Sequence, residues 1–194
     1  RIAAAQARRQ FRLDHAIAVC PVIHPPRTMQ HVESAPAYHN HFVRKWKHSL
    51  SKKLAHFPEH ELAPMIGEMT TLREMHGFFV PRFTAFEDAQ SYLDAYSLTG
   101  DRLQDLQVPT TIIASEDDPV IPVGELQLIA RPAALDVEIT RRGGHCGYLE
   151  NLHGNSWIDR RIEQILARHA APDTVAEDEA TRAGDGLLSP HQAN

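Results

Sequence analysis

Apolar runs recur along this chain at intervals that set its architecture. Residues 15–23, HAIAVCPVI, have the length and continuity of a strand covered on both faces, as strands of a parallel sheet are. The Pro25–Pro26 pair closes the run sharply. Similar runs return at 108–114 and 135–140, and residues 124–131 between them read as a helix. Residues 157–169 read as a closing amphipathic helix with Ile158, Ile162, Ile165 and Leu166 on one side. The opening RIAAAQARRQ reads as a helix already in progress, its Ala3, Ala4 and Ala5 surface small enough to pack closely against a sheet. Strand and helix in alternation predict an α/β fold, a parallel sheet with right-handed crossover helices.

From residue 27 to about 100 the period changes. In 38–57, Phe42, Trp46, Leu50, Leu54 and Phe57 recur at three- and four-residue steps, with Arg44, Lys45, Lys47, Lys52 and Lys53 between them. The expected arrangement is a buried apolar stripe with lysines in water. A basic, aromatic face lying on a membrane or gripping an anionic lipid is the less favoured reading. Residues 61–71 and 87–96 read as further short helices, joined by an aromatic segment holding Phe78, Phe79, Phe83 and Phe86. This block is predicted as an inserted helical cap over 27–100, between core segments 1–26 and 101–170. Residues 171–194 show no periodicity and read as a disordered acidic tail.

With 194 residues and 42% hydrophobic content, the chain can bury one sizeable core. The net charge of −5 is concentrated in the tail, which holds five acids against one arginine. The nearly neutral remainder lacks the basic surplus of a nucleic-acid binder, so no nucleic-acid partner is expected. Cys20 and Cys146 do not make a disulfide framework or a zinc-finger spacing, and following apolar runs they read as buried or half-buried thiols. No run approaches the ~20 apolar residues of a membrane span, and no signal-peptide pattern opens the chain. A cytoplasmic setting is the expectation. The chain opens on Arg1 rather than Met, as a fragment, a processed product or a mis-assigned start would.

Two short loops narrow the chemistry. Asp117 and Asp118 follow the 108–114 run, at the carboxyl edge where open α/β sheets place their sites. Asp118 begins D-P-V-I-P and is the better catalytic candidate, placed to accept the N–H of an imidazole and fix its tautomer. Asp117 reads as a turn residue. On this stretch alone both remain open to a reading as ordinary turn carboxylates, since Asp before Pro is common turn chemistry. An acidic pair of the receiver or Mg²⁺-binding kind is disfavoured, because no phosphate-cradling glycine loop accompanies it.

His145 stands in GGHCGY, 27 residues after Asp118, which leaves room for one helix and one strand and so brings both loops to the same edge. Gly143, Gly144 and Gly147 free the backbone to turn there. A general base needs one nitrogen facing the nucleophile and the other facing the acid. Alone, one His among thirteen would be an ordinary surface or core residue; paired with Asp118 it becomes the candidate base. Acid and then histidine, on loops after successive strands, is the back half of the Ser–Asp–His order of α/β-hydrolases. None of the eight serines stands in a G-x-S-x-G turn.

The remaining histidines carry less. His56 and His60 formally match H-x-x-E-H, but that motif needs both imidazoles on one helical face and Pro58 intervenes. His31, His39, His41 and His48 lack a convincing third or fourth ligand and read as solvated residues.

The ordered motifs AVCPVIHPPRTM, YHNHFVRKWKHSL, VPTTIIASEDDPVIP and RRGGHCGYLE resemble the YheT-like subfamily of α/β-hydrolases over roughly residues 1–169. The resemblance places the family's triad acid on Asp118 and its triad histidine on His145. It makes Arg1 to Gln10 similar to the helix that follows the nucleophile elbow, so the serine, the oxyanion-hole segment and the first strands are expected upstream. An open sheet edge would follow. The implied function is a serine hydrolase of carboxylic esters, short-chain or lipid-like, with an apolar small-molecule substrate under the cap and no metal or organic cofactor. The alternative is a non-catalytic remnant of that fold acting as a binding module.

Overall fold

The computed structural model describes residues 13–57 and 62–170. Among these, three parallel strands form one sheet in spatial order: β1 (Ala16–Val19), β2 (Thr110–Ser115) and β3 (Leu135–Thr140). The register pairs Val19 with Ile113 and Ser115 with Thr140. Parallel pairing sends all three C-terminal ends to one edge, and the loops bearing Cys20, Asp118 and His145 emerge there together. The fold is of the α/β class.

β2 is the central strand, buried from Thr111 to Ser115. The alternation of its side chains explains why an unbroken β-branched run is needed. Ile113 points to one face, where Ile17 and Val19 join Ile158 and Ile165 of the closing helix. Ile112 and Ala114 point to the other, against Ile23, Leu126 and Ile129. The closing helix (Trp157–Ala170) is also pinned to β3 by Arg161, whose Nε donates to Glu138 Oε2 at 2.7 Å. The guanidinium holds the Glu138 carboxyl below the usual carboxylate range.

Between β1 and β2 lie α1 (Pro25–Ser34), α2 (Pro36–His56), α3 (Ala63–Glu68), α4 (Leu72–Phe83) and α5 (Ala89–Tyr96), and the closing helix is therefore α6. Met29, Val32, Val43, Leu72, Met75 and Leu93 form the core of this helical layer, and Val120 and Ile121 from the loop after β2 complete it. The helices thus rest directly on the segment that follows Asp118. Among the described residues no helix is long and apolar enough to cross a membrane.

Several expectations from the sequence are corrected. The 15–23 run is a strand only over Ala16–Val19, because Cys20 takes a left-handed conformation with φ of 45°. Pro25 and Pro26 do more than end that run: they open α1, where a missing N–H is harmless and φ is already helical. The helix expected at 124–131 is only a short 3-10 stretch, Val123–Leu128. The aromatic connector is largely α4, started by a reciprocal cap between Thr71 and Glu74. Among the described residues of 61–71, only Ala63–Glu68 is helical before that cap. On α2 the apolar stripe is not buried as expected; Val43 is buried, while Trp46 is 37% and Phe57 45% exposed. Cys20 is buried as expected, whereas Cys146 is exposed. The expected opening helix at 1–10, His60 and the expected tail at 171–194 lie outside the described residues.

Candidate active site

β2 runs into a turn that the sequence DDP dictates. Asp118 Oδ1 accepts the backbone N–H groups of Val120 at 2.8 Å and Ile121 at 2.9 Å, the side-chain-to-backbone closure that Asp makes in tight turns. This leaves Oδ2 free to face His145 Nδ1 at 3.0 Å. The Asp118 side chain is only 3% exposed and that of His145 37%. The two sequence-predicted site residues are therefore brought together, with the acid desolvated and the base open to solvent. A carboxylate only accepts, so this contact puts a proton on Nδ1.

Asp117 has a role that its reading as a turn residue missed. Its Oδ1 accepts the backbone N–H of Gly143 at 2.9 Å and of Gly144 at 2.8 Å, as well as the Ser115 hydroxyl. The Ser115 hydroxyl first, and then the Gly144 amide, hold the Asp117 carboxyl below its ordinary range. Ser115 is itself 1% exposed and committed to this carboxylate, so it is not an attacking nucleophile. The only prior signal for Asp117 was the doubled acid. Its partners are main-chain amides, which no residue type announces.

The histidine loop wraps around Tyr148. The Gly143 carbonyl accepts from Gly147 at 3.1 Å and from Tyr148 at 2.9 Å, closing a compact turn. A side chain at Gly143 would strike the Tyr148 ring, its Cβ falling 2.4 Å from Cε1. Tyr148 is buried and stacks on Trp157 with ring centroids 5.6 Å apart. Its hydroxyl shares a hydrogen bond with Cys20 Sγ at 3.4 Å. Burial, and then that thiol, push the phenol up, so it acts as a neutral hydrogen-bonding group.

Two thiols complete the site. Cys146 Sγ donates to the Val19 carbonyl at 3.9 Å, and Cys20 Sγ donates to that of Gly144 at 3.8 Å. Burial of its sulfur, then the neighbouring Cys20, push Cys146 up to about 11. It is therefore a protonated thiol at neutral pH and a weak nucleophile. Among the described residues, Cys20, Cys146 and His145 are the group whose ligand atoms cluster closely enough to hold a metal ion. The histidines at 31, 39, 41 and 48 form no such group there; His39 Nε2 meets the Thr70 carbonyl at 3.0 Å instead.

A cavity of about 480 Å³ opens in the helical layer between α2, α4 and α5, walled by Trp46, Leu54, Phe79, Phe83 and Tyr92. Phe79 and Tyr92 also pack on the core that contains Val120 and Ile121, so the cavity wall and the acid loop share a foundation. The half-buried stripe of α2 is explained by this cavity, which its residues line rather than fill. No family model, curated protein or solved structure matches the chain.

Proposed function

We propose that this chain supplies the acid and the base of a serine-type carboxylic-ester hydrolase of the YheT-like α/β-hydrolase kind. The observation that supports it most is the Asp118–His145 pair: a carboxylate fixed by two backbone amides, 3.0 Å from an imidazole whose side chain is partly exposed. His145 Nε2 would take the proton of the attacking serine and return it to the leaving alcohol. Asp118 would orient the ring and stabilise the imidazolium formed on the way. No serine of the chain stands in an elbow sequence, and in this reading the nucleophile and the oxyanion donors are supplied from outside it. In this reading β1, β2 and β3 are the last strands of the hydrolase sheet, the five intervening helices are its cap, and the aromatic cavity takes the apolar part of the ester. The setting is cytoplasmic, and the partner is a small molecule rather than a nucleic acid.

The test is hydrolysis of a p-nitrophenyl ester by the full-length gene product. Asp118→Asn is expected to lower kcat by about 10⁴, through the wrong imidazole tautomer, and His145→Ala by a similar factor. Unchanged rates in both variants would overturn the assignment. No turnover by a folded full-length product would leave the scaffold as a binding module.

A further inference from the structure

We propose that Cys20, Cys146 and His145 form a binding site for one thiophilic divalent cation of the zinc class, with Asp118 as the outer partner of the imidazole. The two sulfurs and an imidazole nitrogen all lie within 4.8 Å of one another. A tetrahedral ion with metal–sulfur bonds of ~2.3 Å and a metal–nitrogen bond of ~2.0 Å needs its ligand atoms about 3.5 to 3.8 Å apart. The three groups would have to close by at most about an ångström.

The imidazole is already arranged as metal-bound histidines are. Metal-binding His residues hand their second ring nitrogen to a carboxylate, which fixes the ring and raises its basicity. Asp118 Oδ2 holds Nδ1 at 3.0 Å, which leaves Nε2 as the ligand atom. Charge also balances: two thiolates neutralise a dication, and uptake releases the two thiol protons. Sulfur and imidazole select zinc-like ions over magnesium or calcium, which want oxygen. Three protein ligands leave the fourth position to water.

The backbone gives a second, independent indication. Cys20 and Cys146 both sit in the left-handed region, with φ of 45° and 64°, as does Tyr148 at 46°. That conformation costs an L-residue about 1–2 kcal/mol and is normally given to glycine. Strained backbone of this kind gathers at functional sites, and here it holds both thiols and the phenol that bonds Cys20. The sequence could not show the cluster, because its sulfurs are 126 positions apart and follow no metal-binding spacing.

Metal uptake and proton transfer compete for the same Nε2, so an occupied site would silence the base. That consequence rests on the hydrolase reading; the cation site does not. The experiment titrates the purified, reduced chain with Co²⁺ and then Zn²⁺. One equivalent of Co²⁺ should give a thiolate-to-cobalt charge-transfer band with tetrahedral d–d bands, and Zn²⁺ should bleach both. Cys146→Ser should halve the charge-transfer intensity and weaken zinc at least tenfold. His145→Ala should weaken zinc as much with the charge-transfer band kept, and Asp118→Asn should weaken it about 10- to 100-fold. Cys146 and His145 are exposed, so their variants keep the fold, as circular dichroism will check. No charge-transfer band, or equal zinc affinity in wild type, Cys146→Ser and His145→Ala, would overturn the site. Zinc uptake with these variant effects, in a full-length product that never cleaves esters, would sink the hydrolase reading alone.

Discussion

Asp117 Oδ1 accepts the backbone N–H of Gly144 at 2.8 Å across 27 positions of sequence. Its neighbour Asp118 takes the imidazole of the very next residue, His145, at 3.0 Å. Two consecutive carboxylates therefore divide the work: the first clamps the main chain of the histidine loop, and the second engages the side chain that this loop presents.

Asp117→Ala is expected to release the clamp. Amide hydrogen exchange at Gly143 and Gly144 should quicken, and ester hydrolysis by the full-length product should fall about 100-fold through misplacement of His145. Because the Asp117 carboxyl is held below its ordinary value, the clamp is complete above the usual carboxylate range of ~3.9 and is lost as pH falls through the lowered value. Exchange rates at the two glycines identical to wild type would refute the clamp.

Gly143→Ala should destabilise the protein by about 1–3 kcal/mol, the range for overpacking a filled site. The new methyl would lie 2.4 Å from a Tyr148 ring carbon, and that ring is locked between Trp157 and the core. Thermal unfolding should show a melting temperature lower by roughly 2–10 °C; an unshifted transition would mean the ring yields freely.

Glu125 is 3% exposed; its Oε2 accepts the His24 N–H at 3.1 Å and the Thr28 hydroxyl at 3.3 Å, while Oε1 is buried without a hydrogen-bond partner. Burial pushes this carboxyl up. A raised folded-state value means its stabilisation is whole below the unfolded value of ~4.3 and is lost as pH rises through the folded one. Glu125→Gln should remove that decline with rising pH. Melting curves across pH 4 to 8, flatter in the variant, would bear this out; an equally steep fall with pH in the variant would contradict it.

Phe83 is half exposed on the cavity wall. Phe83→Ser should raise KM for a hexanoyl ester about tenfold, from roughly 1.5 kcal/mol of lost apolar contact, and leave an acetyl ester unaffected. Equal KM changes for both esters would show that the cavity does not hold the acyl chain.

The sheet was the most legible part of the sequence, because strands buried on both faces need apolar runs with few alternatives: 135–140 coincides with β3, and 108–114 overlaps β2. The helices α2 and α6 were legible from their one-sided apolar spacing, and 87–96 read as the short helix that α5 is. The missed elements turn on local signals with two meanings. Pro25–Pro26 ends a strand and also begins a helix, and Pro81 near the end of α4 masked a helix that Thr71 and Glu74 start. Asp118 and His145 were legible because side-chain chemistry and strand spacing point the same way. Asp117, Tyr148 and the thiol cluster were not, since main-chain partners and approaches between distant residues leave no trace in local pattern.

Val120 and Ile121 give their amides to Asp118 and their side chains to the helical core. Rocking of the helices on the sheet would load this joint and tug on the carboxylate's own moorings. Filling the aromatic cavity would press on the same core residues whose amides hold Asp118, and so on the aim of the imidazole that Asp118 holds.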